Sequence, residues 1–117
     1  MKVTEFGKFS RKLRIENDEL LRDMANKLGV TASYLSAVEI GKRNIPKKWE
    51  NIIVNAYQLD NSKALELRES IEYSIKVINI EVEQLNNEDK NLIFMLARKV
   101  NNLDEKDKNE LREILFR

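Results

Sequence analysis

The spacing of apolar and polar residues in the first half of the chain predicts short helices joined by tight turns. Apolar residues recur at intervals of three and four in four segments, and this period places them on one face of a helix. The helices are predicted over residues 5–16, over about 20–28, between Thr31 and Gly41, and from a first turn that contains Pro46. The buried face expected for this fourth helix consists of Trp49, Ile52, Ile53, Ala56 and Tyr57. This pattern predicts a bundle of short helices around one core.

Polar residues and one glycine mark the ends of these helices. Thr4 and Thr31 precede the first and third helices, where a hydroxyl accepts a hydrogen bond from a free backbone amide. Gly29 follows the last apolar residue of the second helix, and glycine adopts at low cost the positive φ that ends many helices. Asp60 is placed to cap a fifth helix beginning near Asn61. Five helices are therefore predicted before residue 74.

Residues 21–43 form one unit in this pattern. A helix, a turn at Gly29 and a second helix make a helix-turn-helix arrangement. Ala25 supplies the small side chain that two steeply crossing helices need where their backbones approach. The apolar residues shared by the two helices are Met24, Leu28, Val30, Leu35 and Val38.

The stretch 74–85 fits two patterns. Apolar residues at steps of three and four continue a heptad from the fifth helix, which would extend that helix into a coiled-coil seam. Ile78, Ile80 and Val82 also alternate with polar residues and are β-branched, as in a strand. A lone strand needs a partner, such as the same strand of a second subunit. Both alternatives stay open on periodicity alone, and both indicate self-association.

Two more helices are predicted at the end of the chain. Asn86 or Asn87 is placed to cap a helix over about 88–101, and Asp104 to cap another over about 105–116. Their short connection predicts a helical hairpin. The apolar residues expected to face inward are Leu92, Ile93, Leu96, Ala97, Val100, Leu111, Ile114 and Leu115.

The composition argues against an enzyme. Among 117 residues there is no cysteine and no histidine, so disulfides, thiolate metal sites and the commonest general base are all absent. We expect no catalytic residues, no metal site and no cofactor. The sequence has no apolar stretch long enough to cross a bilayer and no signal peptide, so a soluble cytoplasmic protein without a membrane partner is the default expectation.

The charge is unevenly distributed along the chain. Residues 1–60 carry eleven Lys/Arg against eight Asp/Glu, whereas residues 61–117 carry ten against twelve. A mildly basic first half and an acidic second half fit a nucleic-acid-binding domain followed by a region with another task.

The first half of the chain resembles the XRE family of helix-turn-helix proteins, whose domain has the lambda-repressor/Cro-like fold of five short helices. The resemblance covers residues 5 to about 59 and is carried by MANKLGVTASYLSAVEIGKRNIP, especially Glu39-x-Gly41-Lys42-Arg43. A weaker resemblance runs through IEVEQLNNEDKNLIFMLARK and favours the extended alternative for residues 75–82. The expected fold is therefore all-α, with a lambda-repressor-like domain, a short extended segment and a C-terminal helical hairpin.

The resemblance also implies roles for individual residues. The third helix would lie in the DNA major groove, and its groove contacts would be Thr31, Ala32, Ser33, Tyr34, Ser36 and Ala37. Phosphate contacts would come from Lys42, Arg43 and Asn44 in the loop that follows, and Arg14 and Glu39 would form a salt bridge between the first and third helices. Many family members have glutamine at the position of Leu21, so Arg22 is expected to supply a phosphate contact instead.

These expectations define a leading function and an alternative. In the leading interpretation, residues 1–73 bind double-stranded DNA sequence-specifically and residues 74–117 form a dimer or bind a partner. The protein would then be a transcriptional regulator, most simply a repressor, that reads a pseudo-palindromic operator as a homodimer. In the alternative, it is an antitoxin-type protein that neutralises a partner protein through its C-terminal region and regulates its own promoter.

Overall fold

The fold is all-α, as predicted. The computed structural model describes residues 2–117, and within that range it contains seven α-helices, one short 3₁₀ helix and no strand. The α-helices are α1 (Glu5–Glu16), α2 (Leu21–Leu28), α3 (Ala32–Glu39), α4 (Trp49–Ala56), α5 (Asn61–Ser74), α6 (Asn87–Lys99) and α7 (Glu105–Leu115). None of these helices is long and apolar enough to span a bilayer.

Five polar side chains cap the helices as the sequence predicts. Thr4, Thr31, Asp60, Asn86 and Asp104 each accept a hydrogen bond from the amide three residues further on. A bond of this kind satisfies one of the amides that have no partner inside the helix, and it typically contributes about 1 kcal/mol. Of the two asparagines proposed as the cap of α6, the one used is Asn86.

The chain divides into two compact units, Met1–Ile78 and Asn79–Arg117. The first contains α1–α5, and its core takes one fully buried large side chain from each helix. These are Phe6, Met24, Leu35, Trp49 and Leu67. α1 packs on α3 and α5, and α2 packs on α3 and α4. Burying side chains of this size contributes roughly 1.5–3 kcal/mol each, so the core is the main source of stability in this unit.

Two details of α4 differ from the prediction. Pro46 does not lie in its first turn, because the helix begins at Trp49 and Pro46 precedes it in a turn, where its carbonyl accepts a hydrogen bond from the Trp49 amide at 3.1 Å. Ala56 was expected in the buried face but is exposed. The large side chains Trp49 and Ile53 determine which face of α4 points inward, and Ala56 adds too little apolar area to change it.

α5 ends at Ser74 and does not continue as a coiled-coil helix. The Ser74 hydroxyl accepts a hydrogen bond from the Phe6 amide at 3.0 Å and donates to the Ser70 carbonyl at 2.7 Å, which ties the end of α5 to α1. Ile75 has an extended backbone, with φ −77° and ψ 131°. Residues 75–86 belong to neither a helix nor a strand. A strand would need backbone hydrogen bonds to a neighbouring strand, and residues 2–117 contain none.

The second unit contains α6 and α7, connected by the 3₁₀ turn Val100–Asn102. Both helices occur where they were predicted, but neither has a buried residue, and their mutual contact is marginal at most. The predicted inward packing of the helical hairpin is therefore wrong for most of its apolar residues in this single chain. Most of its expected inward residues are exposed, namely Leu92, Leu96, Ala97, Val100, Ile114 and Leu115. Two short helices have too little apolar surface to form a core alone.

Candidate nucleic-acid interface

The turn between α2 and α3 is built on Gly29. This residue has φ 72° and ψ 29°, and the amides of Gly29 and Val30 bond back to the carbonyls of Asn26 and Ala25. A Cβ at Gly29 would meet no atom within 4 Å, so glycine is needed here for its backbone conformation and not for space. Ala25 is almost fully buried. The turn and this small residue together set α3 across α2.

An open depression lies between the start of α2 and the outer face of α3. Its floor is made by small side chains, since α3 presents no large residue on this side. The lining residues are Leu21, Ala32, Ser33, Ser36, Ala37, Ile40 and Lys42. Five of the residues assigned to DNA contact from the sequence are therefore brought to one surface, and Leu21 takes the place that a glutamine was expected to occupy.

Tyr34 and Thr31 have other roles in the structure. The Tyr34 ring is half-buried with its centroid 6.1 Å from that of Trp49, and the guanidinium carbon of Arg43 lies 4.8 Å above the ring. Such a cation–π contact orders the arginine beside the core. The Thr31 hydroxyl accepts a hydrogen bond from the Tyr34 amide at 3.1 Å. Neither residue lines the depression, so Ser33 and Ser36 are its only hydroxyl-bearing residues.

The three basic side chains assigned to phosphate contact have no carboxylate partner within the described residues, and one of them, Lys42, lines the depression. Arg22, Lys42 and Arg43 are exposed, and none of the ion pairs within residues 2–117 uses them. Asn44 is also exposed. The loop after α3 is anchored because the amides of Lys42 and Arg43 both donate to the Ala37 carbonyl, at 2.9 and 3.3 Å.

The turn before α4 carries two exposed lysines to which the sequence-based prediction assigned no role. Lys47 and Lys48 are exposed in the turn before α4 and also take no part in an ion pair within the described residues. Over residues 20–48 there are six Lys/Arg against two Asp/Glu, and one of those carboxylates, Glu39, is buried. The excess of basic over acidic residues is therefore visible in the sequence of this segment, although it is diluted in the charge of the whole first half.

Glu39 connects α3 to α1 through a buried charge network. It is 1% exposed and Arg14 is 8% exposed. Arg14 Nη1 lies 2.6 Å from Glu39 Oε2, and Nη2 lies 3.2 Å from Oε1, which is a two-pronged pairing. The hydroxyl of Ser10 donates to Oε2 as well, and Arg11 Nε lies 3.6 Å from Oε1. The predicted partners thus face each other, with Ser10 and Arg11 added.

The backbone of Glu39 also holds the beginning of α1. Its carbonyl oxygen accepts hydrogen bonds from both the amide and the hydroxyl of Thr4, each at 2.9 Å. Gly7 lies against the same carbonyl, and a Cβ at Gly7 would overlap it. Sequence reasoning did not assign a role to Gly7, because the close approach is made between residues 32 positions apart.

A second polar cluster ties α2 to α4. The Tyr57 hydroxyl donates to Glu19 Oε1 at 2.5 Å, and Lys27 Nζ lies 2.6 Å from Glu19 Oε2 and 4.2 Å from the centre of the Tyr57 ring. Burial, and after it the hydrogen bond to the Glu19 carboxylate, raises the pKa of Tyr57 well above its usual value. The cluster keeps α2, and with it one edge of the depression, in a fixed position.

Comparison of the chain with protein-family models, with curated proteins and with solved structures found no match. No group of three or more carboxylates that could hold a metal ion occurs in residues 2–117. The functional argument therefore depends on the surface described above.

Proposed function

We propose that this protein is a sequence-specific double-stranded DNA-binding transcriptional regulator of the helix-turn-helix type. The observation that carries the proposal is the depression on α3, whose lining combines small side chains with Lys42, an exposed cation that takes part in no ion pair within residues 2–117. In this proposal α3 enters the major groove, which is wide enough to admit a helix. The resemblance of residues 5–59 to the XRE family supports the same orientation.

The small residues on α3 favour close approach to the bases. Ala32, Ser33, Ser36 and Ala37 do not hold the helix away from the groove, so their methyl groups can contact thymine methyls and their hydroxyls can bond to base edges. Leu21 adds an apolar contact. No bidentate arginine, asparagine or glutamine is available on this face, so the shape and deformability of the DNA would contribute much of the specificity.

The exposed cations supply the affinity in this proposal. Each phosphate neutralised by Arg22, Lys42 or Arg43 releases condensed counterions, so the logarithm of the binding constant falls by roughly 0.9 per phosphate contact for each tenfold rise in salt. Arg43 is already ordered against Tyr34, which lowers the entropy lost when it binds a phosphate. A dimer would place two such surfaces on half-sites about one helical turn apart.

Fluorescence anisotropy with labelled genomic and random duplexes, at several salt concentrations, tests the proposal. We expect salt-dependent binding by the wild type and a reduction of the salt slope by roughly two per monomer in the Lys42→Ala/Arg43→Ala variant. Lys106→Ala/Arg112→Ala is the matched control, since it removes one lysine and one arginine that are exposed in α7. The control should bind like the wild type.

Three results would count against the proposal or part of it. Absence of any salt-dependent binding by the wild type would refute DNA binding. Equal losses in the two double variants would mean that only total charge matters. A Ser33→Leu/Ser36→Leu variant that keeps both affinity and sequence preference would show that the α3 face does not enter the groove.

A second candidate function is favoured by the exposed apolar residues of the second unit. Leu92, Leu96 and Leu115 have no cover in the single chain, as expected of a surface that binds protein. An antitoxin-type protein would use this surface to neutralise a partner protein and would use the first unit to regulate its own promoter. A stable complex with a co-expressed toxin-type protein at fixed stoichiometry would support it.

A further inference from the structure

The depression between α2 and α3 is lined for the most part by apolar residues. Four of its seven lining residues are apolar, namely Leu21, Ala32, Ala37 and Ile40. The other three are Ser33, Ser36 and Lys42. Lys42 belongs to the loop after α3, and the proposed function assigns it to a phosphate. An open, largely apolar lining of this kind is suited to an apolar group on the bound molecule.

The two serine hydroxyls of the lining do not by themselves select a base pair. A hydroxyl both donates and accepts hydrogen bonds. Each of the four base pairs presents acceptors and an amino donor in the major groove, so Ser33 and Ser36 can bond to any of them. Discrimination between base pairs by α3 therefore depends on the apolar part of the surface.

One apolar group in the major groove distinguishes base pairs from each other. The C5-methyl group of thymine projects into the groove, whereas adenine, guanine and cytosine are distinguished there by their hydrogen-bond donors and acceptors. 5-Methylcytosine carries the same methyl group on the same ring atom. The apolar lining therefore matches thymine and 5-methylcytosine through one shared group, which uracil and unmodified cytosine lack.

The two alanines are spaced to reach more than one base pair. Ala32 and Ser36 are four residues apart, as are Ser33 and Ala37, so they form two neighbouring rows on α3. Each row contains one methyl group and one hydroxyl. Ala32 and Ala37 are separated by roughly 7.5 Å along the helix axis, more than the base-pair step of about 3.4 Å. Their methyl groups therefore reach different base pairs.

We infer that this surface recognises the C5-methyl group of pyrimidines, so that a half-site contains thymines on different base pairs and 5-methylcytosine can replace them. The inference rests on the proposed function, because that function places α3 in the major groove. The exposed cations Arg22, Lys42 and Arg43, which take part in no ion pair within residues 2–117, match the phosphates on either side of the groove. Methylation of a cytosine at such a position adds a contact, so binding responds to cytosine methylation.

Duplexes with altered bases measure the contribution of the methyl group. The probe is the tightest-binding duplex selected by the full chain from a library of random duplexes, and its Kd is measured by fluorescence anisotropy. Replacing one contacted thymine by deoxyuridine should raise the Kd about fourfold, the factor that burial of one methyl group contributes. A G·5-methylcytosine pair at that position should bind about fourfold more tightly than a G·C pair.

Three outcomes of this measurement would contradict the inference. A selected half-site without thymine would overturn it, as would equal Kd values for thymine and uracil at every position. Equal binding of the G·5-methylcytosine and G·C duplexes would overturn its extension to methylated cytosine.

Variants of the lining test whether the protein surface reads the methyl group. Ala32→Ser/Ala37→Ser adds polar groups to the two rows, and Leu21→Gln replaces a large apolar lining residue, so each should bring the fourfold effect of uracil below about twofold. Leu65→Gln is the matched control, since Leu65 is an exposed leucine on α5 that does not line the depression, and it should keep the wild-type ratio. Circular dichroism reports whether each variant folds. An unchanged ratio in both lining variants would overturn the inference, because the methyl group would then act through the shape of the DNA itself.

The same titrations separate failure of the inference from failure of the proposed function. Salt-dependent binding that is indifferent to the methyl group would overturn the inference and leave DNA binding intact. Absence of salt-dependent binding to every duplex would overturn both.

Discussion

Replacement of Glu39 by glutamine should destabilise the first unit strongly. Among the residues that the structure describes, Glu39 is the only carboxylate paired with Arg14, and both side chains are removed from solvent. Glutamine keeps the shape of the side chain and removes its charge. Arg14 is then left in the interior without a counter-charge, with the glutamine amide oxygen and Met24 Sδ, at 3.3 Å in the wild type, as uncharged acceptors.

The size of the effect follows from the burial of the pair. Removing one partner of a buried ion pair typically costs about 3–5 kcal/mol, because the other charge stays desolvated. Domains of this size are stable by about 5–15 kcal/mol, so the change removes a large part of the total. Replacing both partners by uncharged residues of similar volume is much less harmful, so Arg14→Met/Glu39→Gln should cost less than the sum of the single changes by about 1–3 kcal/mol.

Urea unfolding followed by tryptophan fluorescence measures these effects. Trp49 is the only tryptophan and is fully buried in the first unit, so its emission reports the unfolding of that unit. The free energy of unfolding comes from the midpoint and slope of each transition. A cost below about 1 kcal/mol for Glu39→Gln, or simple additivity in the double variant, would contradict the argument that a buried charge is left unpaired.

The same assay checks three smaller predictions. Gly29→Ala should cost about 1–2 kcal/mol because alanine is strained at φ 72°, and a loss near zero would mean that the turn relaxes. Gly7→Ala should cost at least as much, since its Cβ overlaps the Glu39 carbonyl, while Lys8→Ala on the same helix should be nearly neutral. The raised pKa of Tyr57 stabilises the folded state below the unfolded value of 10.0, and this contribution is lost as the pH rises beyond it. Wild-type stability should therefore fall more steeply than that of Tyr57→Phe above pH 10, and parallel curves would exclude this linkage.

Helix positions and caps were predictable because they depend on local interactions. The capping bonds of Thr4, Thr31, Asp60 and Asp104 join residues three apart, and the apolar period is a property of a single helix. The function of the α3 surface stays a prediction, and the structure brings four of its six proposed groove contacts together.

Contacts between distant residues were less predictable. The position of Tyr34 along α3 is compatible with a side chain that faces DNA and with one that faces the core. Its packing against Trp49 shows that the ring lies beside the core. Ser10 is an ordinary helix residue in the sequence, yet its hydroxyl bonds to Glu39 from 29 positions away. The pattern in Ser74–Leu85 allowed either a helix or a strand, and the chain adopts neither because each would need a partner.

The amino-acid sequence by itself determined the all-α class, the capped starts of α1, α3, α5, α6 and α7, and the turn at Gly29, since periodicity, capping and backbone strain act over a few residues. Only the tertiary structure decided which apolar faces are covered. The stripes on α2 and α6 look alike in sequence, but Met24 is completely buried by α1–α5 whereas Leu92 stays exposed. The physical reason is that hydrophobic burial depends on what surrounds a helix, and a helix pattern specifies a face without specifying its partner.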